Sequence, residues 1–113
     1  MHEMAICESI RSALEEQAQV QDFSTVDVVR LEIGPLSGVE IEALKFGFDV
    51  VMRGSLAEKA RLEIIETEAK AWCMMCAETV PIAQRFEPCP KCNSHQLQVT
   101  AGDEMRIKEL EVN

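Results

Sequence analysis

Between residues 3 and 20 the apolar positions Ile6, Ile10, Ala13 and Leu14 recur at helical spacing, with Glu8, Arg11, Glu15 and Glu16 between them. A single apolar stripe on a charged cylinder marks a helix packed by one face. A first helix is therefore expected from Glu3 to about Val20. Glu3 falls in or before the first turn, where a carboxylate is favoured by the helix dipole. Asp22 to Thr25 is a polar break. From Val26 to Ile33 the period changes to two, with Val29, Leu31 and Ile33 alternating against Arg30 and Glu32, as in a half-buried strand closed by Gly34-Pro35. After Ser37-Gly38 the helical period returns, with Ile41, Leu44, Phe48 and Val51 on one face. Gly47 weakens that helix slightly, and Gly54 lies where a terminating glycine is expected.

Arg61 to Ala69 reads as a second strand, with Leu62 and Ile64 alternating against Glu63 and Glu66. The pattern then stops, and residues 73 to 92 hold four of the five cysteines and two of the four prolines. Met105 to Val112 reads as a third strand. Its parity slips, Met105 and Ile107 against Leu110 and Val112, as a bulge near Lys108-Glu109 would produce. This last strand is too short to stand alone. It is expected to return to the first sheet, which makes the cysteine segment an insertion between paired strands.

Composition narrows the function classes. The 113 residues allow one ordinary domain, or one with a small appendage, and 47% apolar content is enough for a core. A piece of about 30 residues would need a staple to fold. A net charge of -9 argues against nucleic acid as partner, because phosphate binding needs clustered Lys and Arg. The apolar runs are too short for a bilayer span, and no secretory or transit segment is read at the start. The expected compartment is the cytoplasm, where cysteine pairs serve as metal ligands more often than as disulfides.

Cys73, Cys76, Cys89 and Cys92 form CxxC-x12-CxxC. Each pair can build a tight turn whose backbone N–H groups point at thiolate sulfur. Two such turns together give a tetrahedral four-sulfur site suited to structural zinc, with no open position for catalysis. Iron in the same ligands, a redox dithiol and regulatory disulfides are the other readings of this pattern. A thioredoxin-like motif fits poorly, since both pairs share one short loop-rich segment. Within the segment Arg85 and Lys91 only balance Glu78 and Glu87, and Trp72 and Phe86 are its aromatics, so it has no basic stripe for nucleic acid. Cys7 on the first helix reads as a small buried hydrophobe. His95, three residues past Cys92, reads as a solvated ribbon tip, with a place near the zinc or a spare-ligand role as the alternatives.

The chain opens with Met1, His2 and Glu3. His is bulky at position two, so Met1 is expected to survive processing and keep a free amine. That amine titrates near pH 8 and can lose its proton to a metal at modest cost. Amine, backbone amide nitrogens and imidazole can lie in one plane, which suits Ni(II) or Cu(II).

With MHE at the start, LEIGPLSGVE at 31–40, FDVVMRG at 48–54, the two CxxC pairs and the closing GDEMRIKELEV, the whole chain resembles the HypA/HybF hydrogenase maturation factors, nickel metallochaperones for [NiFe]-hydrogenase. The resemblance implies a transient Ni(II) cargo held by Met1, His2 and Glu3, partly through main-chain nitrogens, and structural Zn(II) on Cys73, Cys76, Cys89 and Cys92. It implies a HypB-type GTPase partner and delivery to the hydrogenase large subunit precursor; no nucleic acid and no membrane are expected, from the charge and hydropathy above. It carries over no role for His95. Oligomeric state varies in the family, so a monomer or weak homodimer is expected.

The expected fold is α+β: two helices with a small three-stranded sheet, plus an inserted zinc-ribbon domain. Residues 1–70 and 101–113 would form the nickel-binding domain and 71–100 the ribbon. The chain shows no nucleophile–base pair and no phosphate loop, so no catalytic residue is expected and the reading is a carrier, not an enzyme. Glu3 has two ways to serve, by its backbone nitrogen or by a carboxylate that positions His2, and both stay open. The rivals are a zinc-ribbon protein–protein adaptor without its own nickel site and, more weakly, a thiol redox switch.

Overall fold

The computed structural model describes residues 2–113. The elements run α1 (Glu3–Gln21), β1 (Val26–Ile33), α2 (Ile41–Val51), β2 (Arg61–Glu66), β3 (Ala69–Cys73), β4 (Glu78–Ile82), β5 (Leu97–Ala101) and β6 (Met105–Val112). The strands form two three-stranded sheets, ordered β2-β1-β6 and β4-β3-β5. Two helices and two small sheets make the chain α+β. The last strand does return to the first sheet, beside β1.

Two compact units divide the chain. The first holds residues 1–31, 39–64 and 107–113, and the second holds 32–38 and 65–106. The cysteine-bearing unit is thus wider than the 71–100 expected from sequence. It also takes in the turn after β1 and the chain ends around Ala69 and Gly102, because backbone hydrogen bonds knit these pieces together. Gly34 N–H donates to the Glu104 carbonyl at 2.9 Å, and Leu36 N–H to the Gly102 carbonyl at 2.7 Å.

In the first unit, α1 buries Cys7, Ile10 and Leu14 at one-turn and two-turn spacing. α2 buries Leu44, Gly47 and Phe48. The helices run in parallel, since successive contacts climb both together. The Glu3 carboxylate meets Glu40 N–H, the Cys7 thiol meets the Leu44 carbonyl, and the Arg11 guanidinium donates to the Val51 carbonyl at 2.8 Å. Gly47 sits where this crossing is tightest: a Cβ there would lie 3.0 Å from Met4 Sδ and 3.2 Å from Cys7 Sγ. β1 is the middle strand, and Val26, Val28, Val29 and Leu31 are all buried. Its Arg30 is bracketed from both sides, by Glu63 of β2 at 2.8 Å and by Glu109 and Glu111 of β6. Burial along β6 alternates up to Lys108 and then slips, at the place where the sequence parity slips.

The second unit differs from the sequence reading in two ways. The strand expected over Arg61 to Ala69 is two strands, broken at Thr67-Glu68, where Thr67 N–H turns back to the Ile33 carbonyl at 3.1 Å. The break was hidden because Ile65, Thr67 and Ala69 alternate with Glu66 and Glu68 straight through it. The cysteine segment carries three strands: β3 pairs antiparallel with β4 on one side and with β5 on the other. Its core is small and aliphatic, built on Leu36, Ala69, Ala71, Val80 and Ile82 with Cys73 and Cys89. Backbones touch at its base. Gly102 has φ +101, and a Cβ on it would lie 2.5 Å from Ala69 Cα; one on Gly34 would lie 2.1 Å from the Gly102 carbonyl oxygen.

Candidate metal centres

The four cysteines predicted from spacing come together. Cys73 closes β3, and Cys73 to Cys76 form the turn of the β3–β4 hairpin. Cys76 N–H points at Cys73 Sγ at 3.4 Å, and Ala77 N–H donates to the Cys73 carbonyl at 2.8 Å. Residues 89 to 93 repeat this backbone. Lys91 N–H points at Cys89 Sγ at 3.4 Å, and Asn93 N–H donates to the Cys89 carbonyl at 2.8 Å. Each turn is completed by a residue in the left-handed region, Ala77 at φ 53 and Asn93 at φ 64. That conformation reverses the chain after the second cysteine, so both thiols of a pair face the same point.

The sulfurs of Cys73 and Cys92 are 3.6 Å apart, those of Cys76 and Cys89 are 3.8 Å apart, and all four lie within 4.8 Å of one another. A disulfide would hold its sulfurs at about 2.05 Å, so these are free thiols. A tetrahedral zinc with Zn–S near 2.3 Å needs sulfurs about 3.8 Å apart. The cage fits that ion in spacing and in donor chemistry. Its sulfurs titrate unequally. Burial opposes ionisation of Cys89, but the backbone N–H groups of Cys92 and Lys91 outweigh it and bring that thiol down to about 7. The hydrogen bond with Cys92, together with burial, pushes Cys76 up to about 12. A cation that shares the charge favours the remaining thiolates. Among the described residues no other group of three or more metal-capable side chains converges. His95 is outside the cage; it is exposed and lines a small cleft with Arg85 and Phe86.

The N-terminal segment is the opposite kind of place. Met1 lies outside the described residues. His2 is exposed at the N-cap position of α1, and its carbonyl accepts from Ile6 N–H at 3.1 Å. It lines an open cleft of about 430 Å³ with Glu3, Met4, Ala43 and Phe46. The Glu3 carboxylate accepts from Glu40 N–H at 3.1 Å. Glu40 is the N-cap residue of α2 and has no side-chain cap of its own. That backbone donor, at the positive end of a helix, is the main reason the Glu3 carboxyl sits below the usual carboxylate range. Of the two roles open to Glu3, the carboxylate is engaged in docking α1 on α2. Glu40 escaped the sequence reading; the signal was a helix start with no Ser, Thr, Asp or Asn in the position just before it. Cys7 is buried as expected, and burial pushes its thiol up.

A family model described as "Hydrogenase/urease nickel incorporation, metallochaperone, hypA" matches residues 1–112. The chain belongs to the HypA family. The HypA proteins are metallochaperones, not enzymes, and this member is 58% identical over 112 residues to the hydrogenase maturation factor HypA of Azotobacter vinelandii, covering 99% of each chain. Identity to the HypA protein of Rhodopseudomonas palustris strain BisA53 is 56% over 113 residues, the full length of both. The solution structure of the Ni metallochaperone HypA from Helicobacter pylori superposes with a TM-score of 0.73 at 28% identity, covering 99% of this HypA-family chain and 97% of that one. Among the described residues no helix is long and apolar enough to cross a membrane.

Proposed function

We propose that this chain carries Ni(II) to the large subunit precursor of [NiFe]-hydrogenase during maturation. It would bind nickel at Met1, His2 and Glu3 and hold structural zinc in the ribbon formed by Cys73, Cys76, Cys89 and Cys92. The observation that carries the reading is the contrast between the two donor sets. Four sulfurs converge in a closed cage with the spacing zinc needs, while His2 stands exposed beside an open cleft at the start of α1. A resident ion suits the first and a cargo ion suits the second. Bound zinc would supply folding energy, about 10–16 kcal/mol apparent in comparable small modules. Nickel would be gripped by the Met1 amine, main-chain nitrogen and the His2 imidazole, with Glu3 holding the segment against α2. Family membership supports a HypB-type GTPase as the partner in the transfer, and the reduced cysteines support action in the cytoplasm.

The test is metal content and nickel absorption spectroscopy on the untagged chain, on a form with a short N-terminal extension, and on His2→Ala. Nickel should be lost from both altered forms while zinc stays at one per chain. Undiminished nickel in the extended protein would remove the terminal site. An untagged chain that holds zinc and no nickel would favour the adaptor reading.

A further inference from the structure

Glycine is the poorest helix former after proline, yet Gly47 lies buried inside α2 with no positive φ to require it. Space, not backbone conformation, calls for it. The volume a methyl group would take there belongs to α1: Met4 Sδ would lie 3.0 Å from the added carbon, Cys7 Sγ 3.2 Å, and the Glu3 carbonyl oxygen 3.9 Å. The missing Cβ is thus a slot, and it admits the start of the helix that carries His2. We propose that Met4 and Gly47 form a latch: the thioether seated in the Gly47 slot keeps the first turn of α1 wound and limits how fast nickel is given up. This rests on the terminal nickel site proposed above.

The two sulfurs in the slot are held differently. Cys7 is fully buried and its thiol meets the Leu44 carbonyl, so it belongs to the fixed body of the helix pair. Met4 is 44% exposed and lines the open cleft with His2, Glu3, Ala43 and Phe46. A long unbranched thioether can leave the slot for that cleft without disturbing the core. The other ties between Cys7 and His2 are hydrogen bonds: the Glu3 carboxylate accepts from Glu40 N–H, and the His2 carbonyl accepts from Ile6 N–H. Water competes for bonds at a helix start, so the apolar contact governs whether the turn opens.

Winding matters to the metal. The first N–H groups of a helix have no partner within it. A wound first turn therefore presents the main-chain nitrogens of His2 and Glu3 in fixed order beside the imidazole. Handing nickel on requires these donors to separate one by one, which a wound turn resists and an open one allows. Met4 leaves its slot before they do. Met4 and Gly47 are positioning residues; neither is a ligand.

Nickel release to an excess of chelator, followed by absorption, tests this on the zinc-loaded full chain. The Cβ of Gly47→Ala displaces the thioether, and Met4→Ala deletes it. Each variant should release nickel about tenfold faster, with zinc content unchanged. Because both act on one seat, Gly47→Ala/Met4→Ala should release nickel no faster than either alone. In the nickel-free chain the Ile6 amide should exchange faster in all three variants while the Leu14 amide does not, which reads the latch without the metal. Wild-type release rates in both single variants overturn the proposal, even if Ile6 exchanges faster. A double variant whose acceleration is the product of the two overturns it as well. Nickel retained by His2→Ala is a different failure: it overturns the terminal site, and the latch with it.

Discussion

Gly102→Ala offers a sharp test of how the cysteine-bearing unit is closed. The new Cβ would lie 2.5 Å from Ala69 Cα, 2.6 Å from its Cβ and 3.1 Å from its nitrogen. Carbon atoms rest about 3.5–4.0 Å apart, so the overlap is about 1 Å against backbone that cannot swing aside. Holding a non-glycine residue at φ +101 costs about 1–3 kcal/mol, and relieving the overlap costs about 1–3 more. The sum centres on about 4 kcal/mol. On the zinc site proposed above, binding would supply more than that, so the loaded variant should remain folded and the deficit should appear as weaker zinc binding, by roughly a thousandfold. Competition against a chelator of known affinity reads it directly. Gly54→Ala is the internal control. Its φ of +75 imposes strain, but nothing lies within 4 Å of the new Cβ, and it belongs to the other unit. It should lower the urea midpoint of the first unit and leave zinc affinity untouched. A Gly102→Ala protein that binds zinc within about threefold of wild type would refute the reasoning, since close backbone approach would then not be what closes the unit.

Cys73→Ala removes one corner of the sulfur cage and should abolish stoichiometric zinc, with loss of dispersed amide NMR signals from β3, β4 and β5 and retention of those from α1 and α2. Leu44→Ala empties a fully buried site between the helices and should cost about 2–5 kcal/mol, seen as a lower urea midpoint at constant m-value. Acid should loosen the sheet around Arg30. Arg61 first and then Arg30 hold the Glu63 carboxyl below its ordinary value. Its contribution is therefore fully present above the unfolded value of about 4.3 and is lost as pH falls through the lower folded one. Hydrogen exchange at β1 should accelerate across that window in wild type and change less in Glu63→Gln.

Elements with a clean period were legible in the sequence. α1, β1, α2 and β6 fall within a residue or two of the pattern reading, because one buried face per element imposes the period. The break at Thr67-Glu68 was not legible, since Ile65, Thr67 and Ala69 alternate with Glu66 and Glu68 straight through it and the turn is made by a bond to Ile33 far earlier in the chain. β5 was missed because five mild residues beyond the cysteines carry no alternation against charge. The cysteine spacing fixes which sulfurs can meet, whereas the left-handed Ala77 that lets them meet leaves no mark, unlike Asn93, which favours that conformation. Glu3 was legible as a carboxylate in the right place. Its partner, 37 residues away, was not.

The parallel seating of α1 on α2 restricts how His2 can travel. Glu3 holds the start of α2 and Arg11 holds its last turn, so α2 is pinned at both ends against the first half of α1 like a ruler clamped to a bench. Sliding α1 by one turn, about 5.4 Å, would break both pins at once and drag Cys7 out of its place beside Leu44. Unwinding the start of α1 releases much less: the Ile6 to His2 backbone bond and the Glu3 dock. His2 should therefore swing on a short tether while the body of α1 stays still. Its reach is set by how many residues unwind, and α1 can unwind little beyond Met4 before it must expose Cys7.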